Sequence, residues 1–235
     1  MAAQKSARTI VPRLARMAQS GKILGETVLM AAGRKAKRRW AQTQAHDPWV
    51  RRARNRGLPS RAAFKLEEIA ARHSLFKPGL SILELGSAPG GWTRLAAAGV
   101  APRGRVVAVD RLDMVPPAGV CFIRGDLASA QTRNEVLMAL SGKADLVICD
   151  LAPNLTGIRD VDEANQVELS SLAAEMAELA LGDGGSFLIK AFMGLGSTAL
   201  ESRLAGKYRN VRSLKPAASR AGSKEFYFLA QGYQP

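Results

Sequence analysis

The stretch SILELGSAPGGWTRLAAAG, residues 81 to 99, passes from an apolar strand pattern to a helical one through a turn rich in glycine. Gly86, Gly90 and Gly91 allow the backbone to turn tightly and to approach a ligand, and Pro89 restricts the alternatives. The loop is neither the GxGxxG dinucleotide pattern nor a phosphate loop ending in GK[ST]. Its glycine spacing therefore identifies no ligand.

Working outward, RVVAVD (105 to 110), CFIRGD (121 to 126), ADLVICD (144 to 150) and SFLIKAF (186 to 192) read as strands. They alternate with helical stretches near 131 to 140, 164 to 181 and 197 to 206. Two further strand-like segments, YRNVRSLKP and EFYFLAQGY, flank the polar loop 215 to 224. This alternation predicts an α/β fold, a mostly parallel sheet between helical layers. Before it, DPWVRRARNRG (47 to 57) predicts a basic helix capped by Asp47 and stopped by Gly57. SRAAFKLEEIAARH (60 to 73) predicts a second, with Ser60 as cap and Lys65 set between core positions.

Carboxylates recur where strands end. Glu84 closes the first, and Asp110, Asp126 and Asp150 close three others. Carboxyl ends of parallel strands share one rim, where ligands bind. Asp110, 26 residues beyond Glu84, suits a ribose diol, and Asp126 suits an exocyclic amine. Such a rim favours a positively charged adenosine-bearing ligand over a pyrophosphate. Lys190 ends a buried strand at the same rim, and a buried ammonium needs compensation. Asp150 can supply it; a purely structural ion pair is the alternative.

The 235 residues, 47% hydrophobic, suffice for a sizeable core. Cys121 and Cys149 lie in apolar runs and predict buried thiols, and two histidines make a histidine-rich zinc site improbable. No apolar run is long enough for a membrane span. The net charge of +14 is concentrated: Met1 to Arg61 holds 15 Lys or Arg against Glu26 and Asp47, while the remainder is nearly neutral. That asymmetry predicts a basic, flexible extension over 1 to 45 and a folded domain over 46 to 235. Arg51, Arg52, Arg54, Arg56 and Arg61 are expected to meet the phosphates of a nucleic acid. A solubilising tail and an organelle presequence are the competing readings of the arm.

Taken with their order, SRAAFKLEEI, ELGSAPGGW, VVAVD, FIRGD, DLAPNLTG, GGSFLIKAFMG and KPAASRAGSKEFYFLA give the chain a specific resemblance. Over residues 40 to 235 it resembles the RrmJ/FtsJ-type RNA 2'-O-methyltransferases, most closely those acting on uridine in large-subunit ribosomal RNA. The resemblance implies a Rossmann-like sheet of seven strands, six parallel and one reversed, and S-adenosyl-L-methionine as cofactor. It implies a catalytic tetrad at Lys65, Asp150, Lys190 and Glu225, and cofactor binding by Gly90, Gly91, Trp92, Asp110, Asp126 and Asp150, with no metal. Trp92 has core packing as its alternative. The implied partner is large-subunit ribosomal RNA in a ribosomal particle, met by a monomeric protein in the cytoplasm, or in the mitochondrion if residues 1 to 40 are a presequence. Glu84 departs from a usual Asp, Ser87 from Ala and Phe64 from Tyr or Trp. On this reading neutral Lys190 is the general base, Asp150 holds it, and Lys65 and Glu225 orient the nucleotide. Methylation of another RNA, a small-molecule O-methyltransferase and a noncatalytic ribosome-assembly factor are the alternatives.

Overall fold

The computed structural model describes residues 48–153, 156–219 and 222–235. The cap expected at Asp47 and the extension over 1 to 45 lie outside them. The chain divides into units between Arg51 and Arg52, inside the first helix, and the sheet and the site belong to the second unit.

Helix α1 (Pro48–Asn55) opens on proline, whose missing N–H is not needed in a first turn, and ends before Gly57, which has φ 64°. Helix α2 (Ala62–His73) buries Ala63, Phe64, Leu66, Ile69 and Ala70 along one face. Ser60 Oγ accepts the Ala62 N–H at 3.1 Å, satisfying one of the free donors at its start. Then follow β1 (Ser81–Leu85), α3 (Gly91–Val100), β2 (Arg105–Asp110), β3 (Val120–Arg124), α4 (Ala130–Leu140), β4 (Ala144–Cys149), α5 (Arg159–Ala180), β5 (Leu181–Phe192), α6 (Leu195–Ala205), β6 (Tyr208–Leu214) and β7 (Glu225–Tyr233).

The seven strands lie in the order β3-β2-β1-β4-β5-β7-β6. All neighbours are parallel except those of β7, which runs antiparallel to both β5 and β6. The expected α/β Rossmann-like sheet, with one strand reversed and helices on both faces, is what forms. Central strands are apolar on both faces, as burial between two layers requires. On one face Val107, Val147, Phe187 and Phe228 pack with Ala173 and Met176 of α5. On the other, Ile82, Ile148, Leu188 and Tyr227 pack with Leu66 of α2 and Trp92 of α3.

Three local readings are corrected. Helix α5 begins at Arg159, earlier than expected, because Asp162 folds the preceding loop onto the first turn. Its carboxylate accepts the Thr156 N–H and hydroxyl at 2.6 and 2.7 Å and the Gly157 N–H at 3.1 Å. Strand β5 starts at Leu181 directly after α5, drawn in by pairing with Ala144, and a register shift absorbs its glycines before Ser186. Cys121 is exposed rather than buried, since β3 is an edge strand with one half-open face; Cys149 is buried as expected.

Candidate active site

At the C-terminal ends of β4 and β5 and the N-terminal end of β7, two lysine–carboxylate pairs meet. Lys190 Nζ lies 3.2 Å from Asp150 Oδ1 and donates to the Asp150 carbonyl oxygen at 2.5 Å. Lys65, from α2, donates to Glu225 Oε1 at 2.5 Å. Both lysines are only 7% exposed, and each has a carboxylate within ion-pair distance. The antiparallel register sets Lys190 opposite Tyr227 and Phe192 opposite Glu225. Because side chains alternate along a strand, Lys190, Phe192, Glu225 and Tyr227 share one face. The structure thus gathers all four residues implied as a tetrad.

Tyr227 is the member that sequence reasoning missed. Fully buried, it donates its hydroxyl to Asp150 Oδ1 at 3.1 Å and so braces the Lys190–Asp150 pair. Burial, with the Asp150 and Glu225 carboxylates nearby, holds its hydroxyl well above the ordinary tyrosine value, which keeps it a donor. The signal available in the sequence was its position: two residues after Glu225 in a strand, hence on the same face.

Beside these pairs opens a cavity of about 600 Å³ whose wall includes Gly86, Ala88, Asp110, Asp126, Asp150 and Leu172. Three of the four acids expected at this rim, Asp110, Asp126 and Asp150, therefore converge on the cavity. Asp110 is held by accepting the Ala88 N–H at 2.9 Å and the Leu112 N–H at 2.8 Å. Asp126 accepts the Ala128 N–H at 3.0 Å and lies 3.5 Å from Arg111 Nε. Gly86 has φ 81°, and a Cβ there would stand 2.7 Å from Leu151 Cδ2, so glycine is required both by conformation and by close approach.

Gly90, Gly91 and Trp92 are absent from that wall. Trp92 is 3% exposed, donates its indole N–H to the Ala62 carbonyl at 2.8 Å and packs 5.8 Å from the Tyr227 ring. It fastens α2, and hence Lys65, to the sheet. Glu84 is also withdrawn from the cavity: 1% exposed, with neither carboxylate oxygen bonded. Burial first, then the Asp150 and Asp110 charges, push its carboxyl up to about 8. Neighbouring Thr93 opposes this only in part, its hydroxyl making no hydrogen bond of ordinary geometry.

Among the arginines expected at RNA, Arg51, Arg52 and Arg54 are exposed on α1 and Arg61 is half-buried. Arg56 is exposed too and already has a partner within the protein. It binds Glu67 through two 2.8 Å hydrogen bonds, and the Arg52 and Arg56 guanidiniums each lie 5.4 Å from the Phe64 ring centre. No group of three or more metal-ligating side chains occurs among the described residues, and none of their helices is long and apolar enough to cross a membrane.

Comparison with known proteins gives one consistent result. Residues 58–233 match the model for FtsJ-like methyltransferases. Ribosomal RNA large subunit methyltransferase E of Coxiella burnetii is 43% identical over 198 residues, 82% of this chain and 93% of that protein. Its counterpart in Nitrosospira multiformis is 43% identical over 199 residues, 84% and 97% of the two chains. A Plasmodium falciparum structure assigned as a ribosomal RNA methyltransferase superposes with a TM-score of 0.66 at 24% identity, covering 74% of this chain and 97% of that one. A Streptococcus thermophilus protein assigned as a hemolysin reaches 0.52 at 18% identity, covering 76% and 68%. Structural likeness at this level speaks for the fold alone.

Proposed function

We propose that this chain, which belongs to the FtsJ-like methyltransferase family, transfers a methyl group from S-adenosylmethionine to the 2'-hydroxyl of a uridine in large-subunit ribosomal RNA. The observation that carries this reading is the junction of two buried lysine–carboxylate pairs with an acid-lined cavity. Identity of 43% with proteins named for large-subunit ribosomal RNA methylation, over more than nine-tenths of their length, supports the substrate class.

The cavity suits the cofactor. Its volume falls in the range of about 300–1,000 Å³ typical of small-ligand sites. Asp110, Asp126 and Asp150 favour a cationic sulfonium nucleoside, whereas a polyphosphate would face three carboxylates. Asp110 would take the ribose diol and Asp126 the adenine edge. When bound, S-adenosylmethionine supplies an electrophilic methyl group on a sulfonium centre.

The remaining work falls to this chain's own residues. Lys190, in its amine form, accepts the proton that the ribose hydroxyl loses. Asp150, steadied by Tyr227, keeps Nζ at the edge of the cavity, so proton acceptor and cofactor share one carboxylate. The Lys65–Glu225 pair, anchored to α2 and β7, orients the acceptor nucleotide beside it. General-base contributions are typically about 10²–10⁴-fold. Lys190→Arg, whose guanidinium stays protonated, should lose at least about 100-fold in single-turnover methyl transfer to undermethylated large subunits, with S-adenosylhomocysteine affinity retained. Wild-type chemistry in that variant would remove Lys190 as the base. Absence of labelled methyl in every RNA fraction treated with the wild-type protein would overturn the function itself.

A further inference from the structure

A second cavity, of about 350 Å³, lies across the Ala152–Pro153 segment from the first, and both cavities use that segment as wall. Its other walls include Phe192, Met193, Val167 and Leu200, with Asp162 and Glu163 also in the lining. The Phe192 ring centre is 6.0 Å from Lys190 Nζ. Lys224, also in the wall, immediately precedes Glu225, and its carbonyl accepts the Met193 N–H at 3.0 Å. The cavity therefore adjoins the site where the ribose hydroxyl must lie.

Its chemistry is that of a slot for a flat, partly polar ring. Val167 is 38% and Met193 65% exposed, with Ile158 and Val161 exposed on the same stretch of α5 and its entry. Apolar side chains grouped in the open around a concavity mark a binding surface. The slot is narrow because α6 starts hard against α5: a Cβ on Gly196 would stand 2.6 Å from Val167 Cγ2. One polar group in it is unsatisfied. Gln166 donates through Nε2 to Ser170 Oγ at 3.1 Å, which sets the amide, while its Oε1 is buried without a hydrogen-bond partner. A buried acceptor without a donor in the protein is met by an ordered water or, after a turn of the side chain toward the cavity, by a ligand. At the rim, exposed Arg159 and Lys224 offer two cations beside Glu163 and Asp162, the latter's carboxylate already taken up by Thr156 and Gly157.

We infer that this cavity receives the base of the nucleotide being methylated, with Phe192 in the wall against its ring, Gln166 Oε1 accepting the imide N–H of uracil, and Arg159 and Lys224 meeting the flanking phosphates. The inference rests on the function proposed above and specifies its substrate site. Sequence-specific RNA recognition favours bases splayed out of the stack, held by aromatic side chains and hydrogen bonds to their edges. Enzymes that must reach one nucleotide extrude it into such a pocket.

A uridine-centred pentanucleotide and its twin carrying N3-methyluridine at the centre separate the outcomes, each titrated against the full chain with saturating S-adenosylhomocysteine. Wild type should favour uridine by about tenfold, since a stacked and hydrogen-bonded base contributes strongly to binding. Gln166→Leu should bind the two equally. Val167→Trp, which fills the slot, should lower uridine binding to the level of the methylated twin. Both variants should keep wild-type S-adenosylhomocysteine affinity, which reports an intact fold. Equal wild-type affinities, or discrimination retained in both variants, would overturn the base pocket. Unchanged oligonucleotide binding with lost binding to intact large subunits in Val167→Trp would assign the cavity to a protein partner and overturn it likewise. Methyl transfer by wild type to large subunits, measured in parallel, distinguishes failure of the pocket alone from failure of the function.

Discussion

Replacing Glu84 by glutamine removes a titrating group from the core while keeping its size. The carboxyl is 1% exposed with both oxygens unbonded, and its environment moves it from 4.5 up to about 8. Between those values the folded protein retains a proton that the unfolded chain releases. The folded state thus binds more protons, and stability falls as pH rises across that window. The contribution is fully present below 4.5 and is lost as pH passes through about 8. At about 1.4 kcal/mol per pH unit, the decline amounts to about 5 kcal/mol over the whole window and about 3 kcal/mol by neutrality. Glutamine has no proton to lose. Wild type and Glu84→Gln should therefore be nearly equal in stability at about pH 5, with the variant several kcal/mol more stable at about pH 8.5. Urea unfolding of both proteins across this range, extrapolated to water, measures the difference. A gap that stays constant with pH would refute the idea that Glu84 is buried as a protonated acid.

Tyr227→Phe keeps the ring against Trp92 but removes the donor to Asp150, a hydrogen bond to a charged group worth about 1.5–3 kcal/mol. Thermal melting should fall by roughly 5 °C for a domain of this size, and an unchanged Tm would show that the hydroxyl does not support the site. Gly86→Ala combines a left-handed backbone with a Cβ 2.7 Å from Leu151 Cδ2, so calorimetric titration with S-adenosylhomocysteine should show an affinity loss of about tenfold or more; retained affinity would place the loop away from the cofactor. Arg54→Gln should reduce the logarithmic salt slope of RNA binding by about 0.7–0.9, whereas Arg56→Gln should leave the slope nearly unchanged because Glu67 already engages that guanidinium. Equal slope changes in the two variants would show that RNA displaces Glu67.

Features that depend on near neighbours and on order along the chain were legible in the sequence. Alternating strands and helices specified a parallel sheet, and acids placed directly after apolar runs had to fall on one rim, because strand polarity carries Asp110, Asp126 and Asp150 there without knowledge of distant contacts. Lys190 announced itself by ending an apolar run, and Asp150 as its partner followed from the same rim. The rest depends on elements far apart in the chain. Lys65 and Glu225 are 160 residues apart and meet because β7 inserts antiparallel between β5 and β6 while α2 lies across its face. The same insertion brings the Tyr227 hydroxyl to Asp150, turning an apparent core aromatic into part of the site. The resemblance implies Trp92 as a cofactor contact with core packing as its alternative, and the fold turns its indole to Ala62 because a buried N–H must find an acceptor. The exposure of Cys121 follows from strand order, which leaves β3 at an edge, and the pairing of Arg56 with Glu67 follows from the packing of one helix beside the next. The second cavity exists only where α5, β5 and α6 converge, and no local pattern marks a void between elements.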